Sequence, residues 1–169
     1  MPEKFLHNYA TPMPFVLDAV EELRSTDIKI GSTTGYNDKM MGIVALAARG
    51  QGCEPDFMIT PDSTNGKGRP YSYMMFRNME ALGVQNVAEV AKVSDTISDI
   101  KEGKNAGVFT IGVIEGSSEL VMTQEEFEAL DGVAREAACA KVAETFRAAV
   151  ADAIIRNFSE LPALIRQIA

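Results

Sequence analysis

The sequence is poor in the residues that form metal clusters and disulfide frameworks. It has one histidine and two cysteines in 169 residues, and Cys53 and Cys139 lack any neighbouring cysteine or histidine at ligand spacing. We therefore expect two buried, reduced thiols, and neither a zinc site nor a disulfide. Reduced thiols are typical of intracellular proteins, so the expected location is the cytoplasm.

Long apolar runs and clustered basic residues are lacking as well. No run approaches the ~18 apolar residues that a membrane-spanning helix needs, and the amino terminus has no basic start followed by an apolar core. The net charge is −8, and lysine and arginine are scattered singly. We therefore expect no membrane span, no secretory signal and no nucleic-acid partner.

Apolar residues are plentiful, at 46% of the chain, which is enough for one well-buried core at this length. Short β-branched runs alternate with segments of helical periodicity, and this alternation predicts a parallel sheet with helices on both faces. The predicted strands are 28–33, 56–60, 88–94, 108–114 and 152–157. The predicted helices are 14–25, 38–50, 70–82, 96–107, 123–130, 132–151 and 159–169, the last with Ser159 as its cap.

Polar residues follow several predicted strands at the carboxyl ends, where open parallel sheets bind their ligands. The first group is a hydroxyl-rich turn before a helix, whose free amides suit an anionic oxygen ligand. This turn contains Ser32, Thr33, Thr34, Gly35 and Tyr36. The alternative, which the residues leave open, is an ordinary turn and helix cap.

Two cations stand in the glycine-rich loop after the second predicted strand. Lys67 and Arg69 precede a helix there, and a guanidinium at that place suits bidentate binding of phosphate oxygens. The alternative is a solvated surface loop.

Paired carboxylates follow the third predicted strand. Asp95 and Asp99 are four residues apart at a helix start, so both side chains can face one point. Hard oxygen ligands of this kind suit Mg²⁺. The alternative is that Asp95 caps the helix and Asp99 is exposed. After the fourth strand, loop chemistry alone accounts for Gly116, Ser117 and Ser118.

The order of these groups, together with five longer motifs, resembles the haloacid dehalogenase superfamily of phosphoryl-transfer enzymes. Within it, the sequence is similar to the phosphonoacetaldehyde hydrolase, or phosphonatase, family from about Phe5 to the end. The motifs are IKIGSTTGY (28–36), PDFMITPD (55–62), GRPYSYM (68–74), KVSDTISDIKEGKNAG (92–107) and IGVIEGSSELVMT (111–123). The GSTTGY turn, and arginine where most of the superfamily has lysine, are typical of that family.

The resemblance implies roles for the residues at the strand ends. The Thr34 hydroxyl contacts the transferring phosphoryl group, with the Gly35 amide and Tyr36 beside it, and Arg69 neutralises the phosphoryl charge. In the same comparison, the carboxylates hold or orient a magnesium ion: Asp95 is its ligand, and Asp99 orients its waters or the nearby positive groups.

One residue departs from the family pattern. Ser94 stands where the family usually has glycine, and we expect it to be tolerated unless the backbone there needs a positive φ.

The resemblance also implies a fold and a reaction. The fold is a Rossmann-like, three-layer parallel sheet, with residues 14–169 as an incomplete core and residues 1–13 as a remnant of the cap domain and linker. The reaction is Mg²⁺-dependent cleavage of the carbon–phosphorus bond of phosphonoacetaldehyde, which yields acetaldehyde and phosphate. Family members form homodimers largely through the cap, so we expect that interface to be weakened here.

The same comparison places the attacking aspartate and the Schiff-base lysine before residue 1, so no residue of this sequence is assigned to either role. The first central strand, between 28–33 and 89–94, is then missing too. The chain is a piece of a longer protein, takes a strand from another polypeptide, or closes the sheet in a changed register.

We expect the chain alone to be inactive. Two other functions stay open at this point. One is a non-catalytic binder of phosphate or phosphonate, and the other is a different phosphatase of the superfamily with its nucleophile supplied in trans.

Overall fold

The computed structural model describes residues 11–169, so ten of the thirteen residues predicted as a cap remnant lie outside the described part of the chain. Helices and short strands alternate along the described residues. The helices are α1 (Val16–Arg24), α2 (Asp38–Arg49), α3 (Tyr73–Leu82), α4 (Ile97–Ala106), α5 (Gln124–Ala129), α6 (Gly132–Ala148) and α7 (Leu161–Ile168). The strands are β1 (Gly31–Thr33), β2 (Phe57–Ile59), β3 (Ala91–Ser94), β4 (Phe109–Val113) and β5 (Ala153–Ile155).

All strand pairs in the described residues are parallel, and they form two sheets. One sheet has the order β1-β2, and the other has the order β3-β4-β5. Strands β1 and β3 do not pair, and the break between them falls where the resemblance places the missing central strand. The α/β class and the parallel strands are confirmed, and the described strands do not close the sheet in a changed register.

Helices cover both faces of the three-stranded sheet. On one face, Ile111 and Val113 of β4 pack with Leu23 of α1 and Leu161 of α7. On the other face, α6 contributes a buried cluster around Phe146. The side chains of β4 alternate between these faces, so one short strand is the centre of a three-layer core.

Gly112 is the point where α6 lies closest to the sheet. A Cβ atom at this position would lie 2.7 Å from two atoms of the Phe146 ring. We expect Gly112→Ala to lower the free energy of unfolding by about 1–3 kcal/mol, because a ring in a packed core has little room to move. Urea unfolding measures this. Gly132→Ala is the matched control, because its Cβ would meet no atom within 4 Å. Equal urea midpoints for the two variants would contradict the packing of α6 on β4.

Several predicted element ends are wrong by a few residues. The first strand begins at Gly31 instead of Ile28, because the Ile30 amide donates to the Asp56 carboxylate (2.7 Å) ahead of the paired residues. Helix α3 begins at Tyr73 instead of Pro70, since the residues before it form a turn in which the Tyr71 amide donates to the Gly68 carbonyl (3.0 Å).

The predicted cap of the last helix is also wrong. Ser159 lies in a 3-10 turn, Phe158–Glu160, and α7 begins at Leu161. Asn157 caps this turn by accepting from the Ser159 amide (3.1 Å) and hydroxyl (2.7 Å). Asn157 therefore caps the turn that contains the serine, and Glu160, the residue before α7, makes no side-chain cap hydrogen bond.

The prediction of two buried thiols is wrong for one of the two cysteines. Both cysteines are free, but only Cys139 is buried, whereas Cys53 is half-buried at the end of α2. No helix within residues 11–169 is long and apolar enough to cross a membrane.

Candidate active site

The turn after β1 is held by its own side chains. The Thr34 hydroxyl accepts a hydrogen bond from the Tyr36 amide at 3.1 Å, which leaves the hydroxyl hydrogen able to donate elsewhere. Asn37 then caps α2 by accepting from the Met40 amide at 2.9 Å. The turn-and-cap alternative therefore describes part of this segment, but Asn37 is the cap, and the hydroxyl of Thr34 stays at the strand end.

Arg69 lies against this turn. Its Nη1 donates to Asp99 Oδ2, and its Nη2 would lie only 2.8 Å from a Cβ built on Gly35. A side chain at position 35 would push the guanidinium away, so the approach requires glycine. The Arg69 side chain is 23% exposed, and the surface-loop alternative is therefore wrong for it. Lys67, by contrast, is exposed over the Tyr73 ring, at 5.3 Å from the centroid.

Asp99 is buried at the start of α4 and contacts two cations. Its Oδ1 lies 3.1 Å from the ammonium of Lys92, and its Oδ2 accepts from Arg69 and from the Thr96 hydroxyl (2.7 Å). Thr96 also accepts from the Asp99 amide at 3.2 Å, which makes Thr96 the cap of α4. The alternative in which Asp95 caps the helix and Asp99 is exposed is therefore wrong.

Electrostatics keep the Arg69–Asp99 pair charged. Burial raises the pKa of Asp99, but the positive charge of Lys92 and the hydrogen bond from Arg69 outweigh it, so the pKa lies below its ordinary value. Burial lowers the pKa of Arg69, but the hydrogen bond and charge of Asp99 outweigh it, and the pKa is raised. Asp99 is thus a carboxylate that orients a permanently charged guanidinium.

Asp95 sits at the end of β3 and differs from Asp99 in its surroundings. Its carboxylate accepts from the Ser118 hydroxyl (3.2 Å), and its backbone carbonyl accepts from the Ser117 hydroxyl (2.6 Å). Burial, followed by the negative charge of Asp99, raises the pKa of Asp95. No residue among 11–169 forms an ion pair with it, so its negative charge lacks a contacting cation at this edge.

Two residues behind the strand ends, Lys92 and Glu102, were not predicted to belong to the site, whereas Thr33, which they contact, was named in the hydroxyl-rich turn. The ammonium of Lys92 contacts the Thr33 hydroxyl (2.6 Å) and the Glu102 carboxylate (2.9 Å), and Thr33 itself donates to Glu102 (2.8 Å). Two signals were available in the sequence. Alternation along β3 puts Lys92 on the same face as Ser94, and Glu102 is three residues after Asp99 on one side of α4.

Ser94 fits its position without backbone strain. It is absent from the non-glycine residues with positive φ in the described chain. The serine is therefore tolerated at a place where the family usually has glycine. Its hydroxyl is buried and has no hydrogen-bond partner among residues 11–169.

The structure thus brings together the residues that the sequence placed at successive strand ends. The Thr34 hydroxyl, the Gly35 turn and a guanidinium nitrogen of Arg69 form one group, and Asp95, which has no ion pair among residues 11–169, follows β3. The first set suits an anion such as a phosphoryl group, and the carboxylate suits a cation beside it. The roles themselves stay predictions.

Comparisons with known proteins agree with this arrangement. The family model for haloacid dehalogenase-like hydrolases matches residues 3–107, more than half of the chain. A phosphonoacetaldehyde hydrolase of Lysinibacillus sphaericus is 47% identical over 163 residues, which cover 96% of this chain and 61% of that protein. A bifunctional phosphonoacetaldehyde hydrolase/aminoethylphosphonate transaminase of Clostridioides difficile is 45% identical over 96% of this chain and 26% of its own length.

A solved structure shows the same fold. The crystal structure of a phosphonoacetaldehyde hydrolase-like protein from Oleispira antarctica superposes with a TM-score of 0.92 at 26% identity, over 98% of this chain and 60% of that one. The chain therefore spans about three fifths of this protein and of the Lysinibacillus relative. From the family match, the relatives and the fold together, we conclude that the chain belongs to the haloacid dehalogenase-like hydrolases.

Proposed function

We propose that residues 11–169 form the phosphate-binding part of a phosphonoacetaldehyde hydrolase. The observation that carries this proposal is the position of Arg69, which pairs with Asp99 and lies directly against the Gly35 turn. Relatives that bear this name are 47% and 48% identical over 96% of the chain. Because the chain spans 61% of those relatives, the activity is proposed for a protein that includes the remaining part as well.

In this proposal, the chain binds the phosphoryl group of a small phosphonate substrate. The Thr34 hydroxyl and the Gly35 amide donate to the phosphoryl oxygens, and Arg69 Nη2 donates to them from beside the Gly35 turn. Asp99 already occupies Nη1, so the outward nitrogen is fixed before the substrate arrives. Donors fixed in advance stabilise the charge that develops during phosphoryl transfer without a further cost of reorganisation.

Hydrolases of this family are generally metal dependent, and we propose Mg²⁺ for this chain. The donor chemistry fits, because Asp95 is a half-buried carboxylate that forms no ion pair with any residue among 11–169. No group of three or more metal-binding side chains occurs within residues 11–169, so Asp95 would hold the ion with few protein ligands. When bound, Mg²⁺ supplies positive charge that helps to neutralise the phosphoryl oxygens.

The rest of the reaction is proposed for the longer protein. The resemblance places the attacking aspartate and the Schiff-base lysine before residue 1, and together with water they convert phosphonoacetaldehyde to acetaldehyde and phosphate. We place this reaction in the cytoplasm, and we propose that the longer protein is a homodimer joined through its cap.

The test has two parts. First, inorganic phosphate should raise the melting temperature of the chain, since it binds the folded state alone. Second, the chain should be joined to the amino-terminal part of the Lysinibacillus relative and assayed for acetaldehyde release from phosphonoacetaldehyde.

The outcomes separate the candidate functions. Acetaldehyde release by the joined protein, and none by the chain alone, supports the hydrolase. Phosphate binding without release in the joined protein supports a non-catalytic binder. Release of phosphate from p-nitrophenyl phosphate, with none from phosphonoacetaldehyde, supports a different phosphatase.

A further inference from the structure

Lys92 is a buried lysine behind the proposed phosphate site. Its side chain is 11% exposed, and its ammonium contacts groups on two other elements. Thr33 at the end of β1 lies 2.6 Å away, and two carboxylates of α4, those of Asp99 and Glu102, lie 3.1 and 2.9 Å away. Lys92 therefore joins the unpaired edges of the two sheets to the helix that holds Arg69.

These contacts use the full donor capacity of the side chain. A lysine ammonium has three N–H donors and no acceptor, and Thr33, Asp99 and Glu102 supply three acceptors. The Thr33 hydroxyl in turn donates a hydrogen bond to the Glu102 carboxylate, which closes a triangle of hydrogen bonds. An ammonium that is bound on all sides suits fixing other groups rather than attacking a carbonyl.

The charges explain why a cation is needed there. The Glu102 side chain is fully buried, and its Oε1 has no hydrogen-bond partner among residues 11–169. Lys92 is the cation that pairs with it within the described residues. A buried carboxylate that loses its cationic partner lowers the stability of the fold. Without Lys92, the negative charge of Glu102 would attract Arg69, on which it already acts electrostatically.

We propose that Lys92 is a positioning residue for phosphate recognition: it fixes Asp99 and Thr33 and balances Glu102, so that Arg69 Nη2 stays directed at the anion. This inference rests on the proposed function. Thr33 directly precedes Thr34, and Asp99 holds Arg69. The Lys92 ammonium therefore positions both the Thr34 turn and the Arg69 guanidinium. Lys92 itself does not contact the anion.

The test compares Lys92→Met with Lys104→Met in the full 169-residue chain. Lys104 is also a lysine in an ion pair, with Asp152 at 2.7 Å, but it contacts none of the site residues named above. Calorimetric titration with inorganic phosphate should give a Kd about tenfold higher for Lys92→Met, the change that ~1.4 kcal/mol produces. Lys104→Met should keep the Kd of the wild type.

A second variant addresses the chance that Lys92→Met does not fold. Lys92→Met/Glu102→Gln removes the charges of Lys92 and Glu102 together, so its folding does not depend on an unpaired Glu102 carboxylate. Its phosphate Kd should lie between those of the wild type and Lys92→Met, because Asp99 still lacks its Oδ1 partner. A wild-type Kd in either folded variant overturns the inference.

A further readout separates this inference from the proposed function. The guanidinium NMR signals of Arg69, assigned with Arg69→Lys, should shift in both Lys92 variants without any phosphate. If the wild type binds no phosphate, the proposed function fails, and these signals still decide whether Lys92 positions Arg69. Unchanged Arg69 signals in both variants overturn the inference.

Discussion

Arg69→Ala is expected to abolish the protection that phosphate gives against unfolding. At a phosphate concentration of 100 times the Kd, the wild-type chain should gain about 2.7 kcal/mol of stability, and the variant should gain almost none. The reason is that Arg69 supplies the guanidinium that faces the Gly35 turn, and alanine supplies no charge there. Thermal melts with and without phosphate, at constant ionic strength, measure the difference.

The same substitution should lower kcat/KM of the joined, longer protein by about 10³-fold or more. Guanidinium groups that neutralise a phosphoryl group in the transition state have effects of this size. Arg69→Lys should recover only part of the loss, because an ammonium cannot donate to Asp99 and to the anion in the same planar arrangement. Rates of acetaldehyde release for the three proteins provide the comparison.

Lys67→Ala is the control for charge in the same loop. Lys67 is two residues away, is exposed and lies over the Tyr73 ring, so its loss removes one positive charge without touching the Gly35 turn. Phosphate protection should be unchanged in this variant. Loss of protection in Lys67→Ala, together with its retention in Arg69→Ala, would place the anion on the outer loop instead.

Much of the site was predictable because polar residues directly follow apolar runs. In a parallel sheet, every such residue falls at the same edge, so Thr34 and Asp95 could be placed together from the order of strands alone. The identity of the side chains then suggested an anion beside a cation. Neither inference needed the lengths of the strands to be right, and those lengths were overestimated.

The supporting network was not predictable in the same way. A single lysine in a short strand is typical of a solvated edge, and the burial of Lys92 depends on Thr33, 59 residues earlier. Thr33 in turn contacts Glu102, 69 residues later. Pairs at such separations depend on how the two sheets and α4 meet, which the local pattern of residues does not contain.

The predictions of helix caps were wrong for a related reason. Ser159 and Asn157 are both good caps by residue type, and the choice between them depends on the direction in which the chain leaves β5. Thr96 and Asp95 present the same choice before α4. Before α4, the structure selects Thr96, since the Ser118 hydroxyl already donates to the Asp95 carboxylate. After β5, it selects Asn157, whose side-chain amide also donates to the Glu115 carboxylate (2.8 Å).

Asp95→Asn is expected to stabilise the metal-free chain at neutral pH by about 1 kcal/mol. Burial and the charge of Asp99 raise the pKa of Asp95, so the folded state disfavours the charged form. A carboxyl group with a raised pKa lowers stability above that pKa, and stability is regained as the pH falls through it. Asparagine removes the charge and keeps an acceptor for the Ser118 hydroxyl. Urea unfolding at neutral pH measures the gain, and Asp18→Asn controls for the loss of one charge at an exposed site.

Asp99→Asn should have the opposite sign, because the pKa of Asp99 is lowered and its charge stabilises the fold at neutral pH. The stability from Asp99 is lost only as the pH falls below the ordinary value of 3.8 toward the lower folded value. Of these two carboxylates, four residues apart, the charged form of Asp99 stabilises the folded chain at neutral pH, and the charged form of Asp95 destabilises it.

Metal-binding measurements test whether the destabilising charge of Asp95 serves to bind a cation. Mg²⁺ should raise the melting temperature of the wild-type chain, and Asp95→Asn should weaken its binding by at least about 100-fold, since the carboxylate that would hold the ion is gone. In the joined protein, the same variant should lose acetaldehyde release. If Asp95→Asn instead lowered the stability of the metal-free chain, the charge of Asp95 would already be compensated, and the argument for a cation there would fail. A gain in stability together with a lost response to Mg²⁺ is expected only of a residue whose charge serves a ligand.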